Sequence, residues 1–368
     1  MGLSDRLRVE EGYPNLYLGE GLLFAELDAV NFGVVGLGVI GEIHARNVAE
    51  LGSTRLVAVV DQVRERAESV GRALGAEHYT SIDEALKNVE IEAVIIATPS
   101  YLHAPQALFA LLHDKHVLVE KPMATTLSGA RLISRTAEER GLRLGVVFQE
   151  RYMDAAVRLK ELIDSGALGR LLLLEGELKW WRGEEDYYRK DLLARSWRGY
   201  WETEGGGVLM NQAIHTVDLL LWLGGEASLV AGMASNQAHP SVEVEDTVMA
   251  LIEFRNGAQG CLVATVCTPP ETSHYREVRV VGTKGQARLR DYSLKASTVN
   301  GEVSVGGEVR FGELHRRLLD DFAKSLRSGR RFKVDGAEGY KSLELVKAIY
   351  RSGESRFYVS LPLEVSGE

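Results

Sequence analysis

A glycine-rich hexapeptide directly after an apolar run constrains this chain more than any other sequence feature. The run Phe32–Val35 has the length and β-branched content of a buried strand, and Gly36-Leu37-Gly38-Val39-Ile40-Gly41 follows at once, before a helical stretch. In such a unit Gly36 permits the tight turn, Gly38 lets the backbone approach a pyrophosphate, and Gly41 lets the helix pack on the strand. The segment 36–41 therefore predicts dinucleotide binding, with the phosphates at the helix N-terminus.

The next apolar run supplies the acidic residue that such a site needs. Leu56–Val60 ends in Asp61, 20 residues after Gly41. A carboxylate at this place accepts hydrogen bonds from the adenosine ribose hydroxyls. It also repels a 2′-phosphate, so NAD is expected as cofactor and NADP is disfavoured. Arg64 and Arg66 follow closely in the sequence, and their positive charges would favour the 2′-phosphate of NADP.

The alternation of strands and helices continues to about residue 150 and then changes character. Up to that point, short apolar runs alternate with amphipathic stretches, which indicates βαβ units and a doubly wound parallel sheet of the α/β class. Beyond it, several β segments separated by turn signals predict an α+β domain with a largely antiparallel open sheet. We therefore divide the 368 residues into an N-terminal extension (1–30), a dinucleotide-binding Rossmann domain (31–150) and a substrate-binding and oligomerisation domain (151–368).

Charge, apolar patterning and cysteine usage argue against several classes of partner. The formal net charge is −9 with no offsetting basic run, so nucleic acid is not an expected partner. No apolar stretch reaches the roughly 18 residues of a membrane span, and the charged N-terminus predicts no signal peptide. Cys261 and Cys267 are too few for a disulfide framework and are interpreted as packing residues on one strand face. We predict a cytoplasmic protein without a metal site.

Polar side chains follow three further predicted strands at the rim where parallel sheets bind their ligands. These segments are Thr98-Pro99 with His103 one turn later, Glu120-Lys121-Pro122, and Gln149-Glu150-Arg151-Tyr152. The residues expected to contact the cofactor there are Thr98, Pro99, His103, Glu120, Lys121 and Gln149. Arg151 and Tyr152 are expected to contact the substrate.

Together with a second glycine-rich segment, Gly205–Asp218, these motifs resemble the glucose–fructose oxidoreductase/inositol dehydrogenase/MocA (Gfo/Idh/MocA) family. The resemblance covers nearly the whole chain after residue 30, with the motifs in the right order. It implies an NAD(P)-dependent oxidoreductase that acts on a secondary alcohol or carbonyl of a sugar, polyol or sugar nucleotide. The substrate would lie between the nicotinamide and the second domain's sheet. The family's catalytic lysine maps to Lys121 and its catalytic histidine to His215.

Many members of the family carry an aspartate four residues before the catalytic histidine, where this chain has Asn211. A helix predicted over Asn211–Leu223 would place Asn211 and His215 on one face, so that both reach the substrate. His215 can act as the base, and Lys121 can donate to the substrate oxygen. Asn211 lacks the charge of an aspartate, so Lys121 as the main acid/base remains an alternative.

The loop between Trp180 and Gly205 is rich in tryptophan, tyrosine and arginine. Aromatic faces and arginine donors suit a sugar, and we expect Trp181 and Arg198 to contact the substrate. The same composition equally suits a subunit interface. If the substrate carries a carboxylate or phosphate, Arg182, Arg189 and Arg198 are the candidates to bind it.

Two other functions and an oligomeric state also follow from the sequence. An NAD-dependent glycoside hydrolase with transient oxidation, and a redox-inactive NAD-binding regulator, stay open beside the dehydrogenase. The antiparallel sheet has an apolar face that few helices can cover, which predicts a homodimer or homotetramer.

Overall fold

The first half of the chain forms the predicted parallel sheet. The computed structural model describes residues 29–87 and 90–364, so nearly all of the predicted extension (1–30) lies outside the described residues. The strands are β1 (Val30–Val35), β2 (Thr54–Val60), β3 (Glu77–Tyr79), β4 (Ala93–Ile96), β5 (His116–Val119) and β6 (Leu144–Val146). Their order is β3-β2-β1-β4-β5-β6, and every pairing is parallel. The doubly wound sheet is therefore confirmed.

Five helices connect these strands. They are α1 (Val39–Glu50), α2 (Arg64–Leu74), α3 (Ile82–Leu86), α4 (Ser100–Leu112) and α5 (Leu127–Glu139). The helix after the glycine-rich turn begins at Val39, directly after Gly38. Because no residues intervene, the first backbone N–H groups of α1 lie at the turn itself.

The second half forms a nine-stranded sheet that is antiparallel except at one pairing. Its strands are β7 (Leu171–Lys179), β8 (Ala227–Ser235), β9 (Thr247–Phe254), β10 (Gln259–Thr265), β11 (Tyr275–Gly282), β12 (Gly285–Arg290), β13 (Ser293–Thr298), β14 (Gly301–Val305) and β15 (Val359–Ser360). The order is β14-β13-β12-β11-β7-β10-β9-β8-β15, with only β7 and β10 parallel among these described strands. The largely antiparallel open sheet is confirmed.

Helices cover one face of this second sheet. The helices after β6 are α6 (Asp154–Asp164), α7 (Leu192–Trp197), α8 (Trp201–Glu204), α9 (Val208–Asn211), α10 (Ile214–Gly224), α11 (Glu313–Ser328) and α12 (Gly336–Ser355). α10 packs on β7 and β11, and α12 packs on β8. α11 instead returns to the first domain, where it packs against α1 and β1. Of the helices described, none is long and apolar enough to cross a membrane.

Residues 208–224 fold as two helices, α9 and α10, so the single helix predicted over Asn211–Leu223 is wrong. The carbonyl of Val208 accepts hydrogen bonds from the amides of both Gln212 (3.1 Å) and Ala213 (2.7 Å), which widens the turn and ends α9. α10 then begins at Ile214. Asn211 and His215 are therefore not one turn apart on one helix, and only tertiary contacts can bring them to the same site.

A buried arginine ties the segment that follows β6 to helices of the second domain. The Nε and one terminal nitrogen of Arg151 donate to the two carboxylate oxygens of Asp218 in α10, at 2.8 and 2.7 Å. Its other terminal nitrogen donates to Glu338 in α12 at 2.9 Å. Tyr152 donates to Asp321 in α11 at 2.7 Å. Arg151 and Tyr152 thus pair with carboxylates of α10, α11 and α12, and their contact with a substrate stays a prediction.

Candidate active site

The turn between β1 and α1 has the geometry that a dinucleotide requires. Gly36 has a φ of +87°, and a Cβ there would lie 2.7 Å from the carbonyl oxygen of Ala97. A Cβ on Gly41 would lie 1.7 Å from the carbonyl oxygen of Gly36. Around Gly38, by contrast, a Cβ would meet nothing within 4 Å, and no described side chain caps α1. The turn is therefore closed beneath and open above, where the N–H groups of α1 can receive a pyrophosphate.

Asp61 fixes this turn and pairs with Arg66, whose positive charge would otherwise favour NADP. Its carboxylate accepts the amide of Leu37 at 2.8 Å and the amide of Val63 at 2.9 Å. A terminal nitrogen of Arg66 also donates to both carboxylate oxygens, at 3.2 and 3.0 Å. Arg66 is thus paired with Asp61 and is not free to hold a 2′-phosphate, which fits NAD better than NADP.

Two of the residues predicted to contact the cofactor instead brace the strand-end loops. The ring nitrogens of His103 lie 2.7 Å from the carbonyl oxygens of Thr98 and of Pro122, so the buried ring bridges the loops after β4 and β5. Glu120 accepts from His44 of α1 at 2.9 Å. Burial acts to raise the pKa of Glu120, but the hydrogen bond and charge of His44 outweigh it and bring the value to about 2. Their direct contact with the cofactor stays a prediction.

The other cofactor candidates remain at the rim. Thr98 donates its hydroxyl to Gln106 at 2.7 Å, and Pro99 directly precedes α4. Val39 is exposed at the start of α1, with Ile40 partly buried beside it. The side-chain oxygen of Gln149 is buried without a hydrogen-bond partner among the described residues. These positions leave the predicted contacts open to a ligand above the sheet.

Lys121, Asn211 and His215 converge at the carboxyl end of β5. The Nζ of Lys121 donates to the backbone oxygen of Asn211 at 2.7 Å and to its side-chain Oδ1 at 3.3 Å. Burial lowers the pKa of Lys121, and the positive charges of Arg198 and Arg182 act in the same direction. Burial, followed by the charge of Lys121, also holds the pKa of His215 well below its usual value. His215 is therefore a neutral imidazole at neutral pH.

Glu204, at the end of α8, completes this cluster and was missed in the sequence. Its carboxylate accepts from the Nδ2 of Asn211 in a short hydrogen bond and from the amide of Gly199 at 2.7 Å. It is 1% exposed, and burial raises its pKa. The amide of Asn211 thus turns its nitrogen to Glu204 and its oxygen to Lys121. The only sequence signal was a carboxylate directly before the three glycines 205–207.

The aromatic loop places two arginines around one tyrosine. The guanidinium of Arg182 lies 5.1 Å from the ring centre of Tyr187, and that of Arg198 lies 4.0 Å from the same ring. Tyr187 itself accepts a hydrogen bond from Gln212, the residue after Asn211, at 3.0 Å. The charges of both arginines act on Lys121. The loop is therefore attached beside the predicted catalytic residues, as a substrate-binding element requires.

A buried ion pair anchors the same loop. His239 donates from Nδ1 to Asp246 at 2.8 Å and from Nε2 to the backbone oxygen of Arg182 at 2.7 Å. Because both ring nitrogens face acceptors, the ring is an imidazolium; the hydrogen bond to Asp246 is the main cause that raises its pKa to about 10. The Sγ of Cys267 lies 3.9 Å from Nδ1. Cys267 thus does more than pack, whereas Cys261 lies on β10 as expected.

Trp181 lies next to this anchor. It forms an isolated antiparallel bridge with Cys267 beyond the end of β7, and its ring centre is 6.4 Å from that of His239. β7 ends at Lys179, and Trp181 belongs to the loop that follows it. Its contact with a substrate stays a prediction.

Two family models match the chain. One, described as an oxidoreductase family with an NAD-binding Rossmann fold, matches residues 30–148. The other, described as a GFO/IDH/MocA C-terminal domain, matches residues 156–288. The two matches lie on the parallel and the antiparallel sheet respectively, and they confirm the Rossmann domain predicted from the glycine-rich turn.

Individual relatives extend over nearly the whole chain. The scyllo-inositol 2-dehydrogenase (NAD(+)) of Bacillus subtilis is 28% identical over 347 residues, which are 91% of this chain and 97% of that enzyme. Levoglucosan dehydrogenase of Pseudarthrobacter phenanthrenivorans is 26% identical over 392 residues, covering 90% of this chain and 98% of that enzyme. The solved structure of the WlbA dehydrogenase of Bordetella pertussis, in complex with NADH and UDP-GlcNAcA, is 33% identical. It covers 91% of this chain and 100% of that chain, with a TM-score of 0.80. NAD as the cofactor is confirmed.

The pairing of Asp61 with Arg66 generates a prediction about cofactor choice. Asp61→Ser is expected to lower kcat/KM for NAD about 10- to 100-fold, since hydrogen bonds to a charged group contribute about 1.5–3 kcal/mol. The kcat/KM for NADP is expected to rise, because Arg66 loses its carboxylate partner and can then pair with the 2′-phosphate. Initial rates of NADH and NADPH formation measure both values. The control is Asp83→Ser, at an exposed aspartate of α3; an unchanged NAD/NADP ratio in Asp61→Ser would contradict the prediction.

Proposed function

This chain belongs to the Gfo/Idh/MocA oxidoreductase family, and we propose that Lys121, Asn211 and His215 form its catalytic centre. The reaction is the oxidation of a secondary hydroxyl group of a sugar, polyol or sugar nucleotide, or the reverse reduction. The observation that carries the proposal is the convergence of the three residues, because Lys121 donates directly to Asn211 and its charge acts on His215. They come from β5 and from the two helices α9 and α10.

His215 is suited to accept the hydroxyl proton. Burial and the neighbouring charge of Lys121 lower its pKa, so the ring is unprotonated at the pH where the enzyme would work. Its Nδ1 is buried and has no hydrogen-bond partner among the described residues, and its ring packs edge-on against Phe148 at 5.8 Å. A ring held in this way keeps one orientation, which general-base catalysis requires.

Lys121 is suited to stabilise the charge that develops on the substrate oxygen. An ammonium group has three donors, and two of them point at Asn211. The third is available to the substrate hydroxyl as its proton leaves. When NAD is bound above the glycine-rich turn, it supplies the acceptor for the hydride. The chain's own groups then hold the oxygen and take the proton.

Asn211 is neutral, but the carboxylate of Glu204 that it contacts supplies a negative charge. The carboxylate lies behind Asn211 and orients its amide, and its charge raises the pKa of Lys121 against the effect of burial. It touches neither substrate nor cofactor in this scheme, so it is a positioning residue. Together with the charge of Glu120, its charge opposes the burial that lowers the pKa of Lys121, which must be protonated if it is to donate.

The outer face of the antiparallel sheet supports the predicted homodimer or homotetramer. Met233 pairs across the strands with Met249, and Leu251 is the neighbour of Met249 two residues along β9. These three side chains are 74%, 56% and 60% exposed, whereas the alternate residues of β9 are buried under the helices. Exposed apolar side chains grouped on one sheet face are typical of subunit contacts.

The compartment that we propose is the cytoplasm.

The proposed chemistry is tested by NADH formation across a panel of inositols, aldoses and nucleotide sugars. Lys121→Ala and His215→Ala are each expected to lose activity about 100- to 10,000-fold, because each removes a group that acts in proton transfer or charge stabilisation. NAD binding, followed by fluorescence, is expected to change little. His113→Ala, at an exposed histidine that ends α4, is the matched control.

Two other outcomes would redirect the proposal. Release of a sugar without net NADH formation would identify a glycoside hydrolase that uses NAD transiently. NAD binding without turnover of any compound would favour a redox-inactive regulator. Full activity in either alanine variant would exclude that residue from the catalytic centre.

The role of Glu204 predicts a change in pH dependence. In Glu204→Gln, Lys121 loses a charge that raises its pKa, so the pKa of Lys121 falls further below its usual value. The alkaline limb of the profile of kcat/KM is therefore expected to move to lower pH, with activity near pH 8 reduced about tenfold for each unit that the limb moves. The control is Glu202→Gln, an exposed residue of the same helix. A profile that is lower but unshifted would show that Glu204 serves only to stabilise the fold.

The proposed interface is tested by the mass of the protein in solution. Leu251→Arg is expected to lower the mass measured by light scattering at micromolar concentration, because it places a charge in the buried contact between subunits. Val299→Arg, at an exposed turn between β13 and β14, should leave the mass unchanged. A wild-type protein that is monomeric under these conditions would refute the proposal.

A further inference from the structure

Arg182 and Arg198 are half-buried and, unlike the buried arginines Arg151 and Arg276, have no anionic partner among the described residues. Arg151 is held by Asp218 and Glu338, and Arg276 is held by Glu150. No carboxylate of the described residues lies within 4.0 Å of the guanidinium nitrogens of Arg182 or Arg198. Among the described residues, the Nε atoms of both arginines are buried and have no hydrogen-bond partner. A buried donor without a partner costs about 1–3 kcal/mol, so a ligand that supplies an acceptor would be stabilised there.

The two guanidinium groups are held in place although most of their donors have no partner among the described residues. Both lie over the ring of Tyr187, and Arg182 also stacks on Trp180 at 5.1 Å while Arg198 stacks on Trp197 at 5.0 Å. Within the described part of the chain, a single side-chain hydrogen bond holds Arg182, from a terminal nitrogen to the carbonyl of Trp181 at 2.9 Å. Stacking fixes the plane of a guanidinium and leaves its edge free to donate to a carboxylate or phosphate.

The charge around this pair is unbalanced. The positive groups that act on one another there are Lys121, Arg182 and Arg198. Two carboxylates, Glu120 and Glu204, act on Lys121, and Glu204 also acts on Arg198. Glu120 and Glu204 are already held by His44 and by Asn211 and Gly199, respectively. His239, the next cation, is neutralised by Asp246. Two negative charges against three positive charges leave an excess positive charge that an anionic ligand would neutralise.

We propose that the substrate is an anionic sugar, whose carboxylate or phosphate group is bound by Arg182 and Arg198 while its hydroxyl lies at Lys121 and His215. This inference rests on the proposed function and narrows its substrate class. A neutral polyol would leave the guanidinium edges without acceptors and would therefore bind more weakly.

Matched ligands test this inference directly. Dissociation constants are measured by calorimetry on the NADH-bound enzyme for D-glucuronate, D-glucose 6-phosphate and D-glucose, and for UDP-glucuronate and UDP-glucose as a second pair. The expected result is that at least one ligand with the added carboxylate or phosphate binds tenfold or more tightly than the counterpart that lacks it. A gain for D-glucuronate over D-glucose, or for UDP-glucuronate over UDP-glucose, identifies a bound carboxylate, and a gain for D-glucose 6-phosphate alone identifies a bound phosphate.

Arginine variants locate the effect. Arg182→Gln and Arg198→Gln are each expected to weaken binding of the anionic ligand about 10- to 100-fold and binding of the neutral ligand less than threefold. Arg198→Lys keeps the charge but loses the planar fork, so an intermediate loss is expected. Arg189→Gln is the control, because that arginine already donates to Tyr200 and to the carbonyl of Ser241 in the same loop.

Three results would overturn the inference. They are equal affinity for anionic and neutral ligands in the wild-type enzyme, a preference for anions that survives in the variant with both arginines replaced, and a preference that Arg189→Gln abolishes. NADH formation from neutral sugars alone would reject the anionic substrate and leave the proposed dehydrogenase activity standing. The two proposals therefore fail separately.

Discussion

The pairing of Arg151 with Asp218 and Glu338 fixes α10 and α12 against the segment in which the chain leaves the parallel sheet. All three groups are largely removed from water, and breaking such an arrangement leaves a buried charge, at a cost of several kcal/mol. Asp218 lies three residues after His215 in α10, and Arg151 follows β6, the neighbour of the strand that carries Lys121. A shift of α10 by one turn would separate the ion pair and would move His215 away from Lys121 together with it. The position of His215, which we propose as the base, is thus set by a contact outside the proposed catalytic centre.

Much of the fold could be predicted because its signals are local. The glycine-rich turn, the acidic end of β2 and the alternation of apolar runs are all read within about 30 residues, and the parallel sheet follows from them. Lys121 and His215 were placed through a family resemblance rather than through their spacing. The break between α9 and α10 was missed because polar partners outside the helix, Glu204 and Tyr187, hold Asn211 and Gln212.

The partners of Arg151 and Tyr152 could not be predicted because they lie far away along the chain. Arg151 and Tyr152 stand where ligand-binding residues of a parallel sheet are expected, and only the carboxylates of α10, α11 and α12 reveal that they are occupied. Those partners lie 67 to 187 residues away along the chain. Glu204 was missed for the same reason, since its importance depends on Asn211 being turned toward Lys121. Sequence patterns identify which groups can donate or accept, but the choice among distant partners is made by tertiary packing.

The return of α11 to the first domain has a consequence for how the chain acquires its structure. Phe322 of α11 packs against Phe32 of β1 with ring centres 6.3 Å apart, and Asn47 of α1 donates to the carbonyl of Gly312 at 3.1 Å. The nucleotide domain therefore lacks part of its own core until more than 320 residues have left the ribosome. Its synthesis begins first but its folding is completed nearly last, and a chain that stops short of α11 would expose the apolar surface beside β1 and α1.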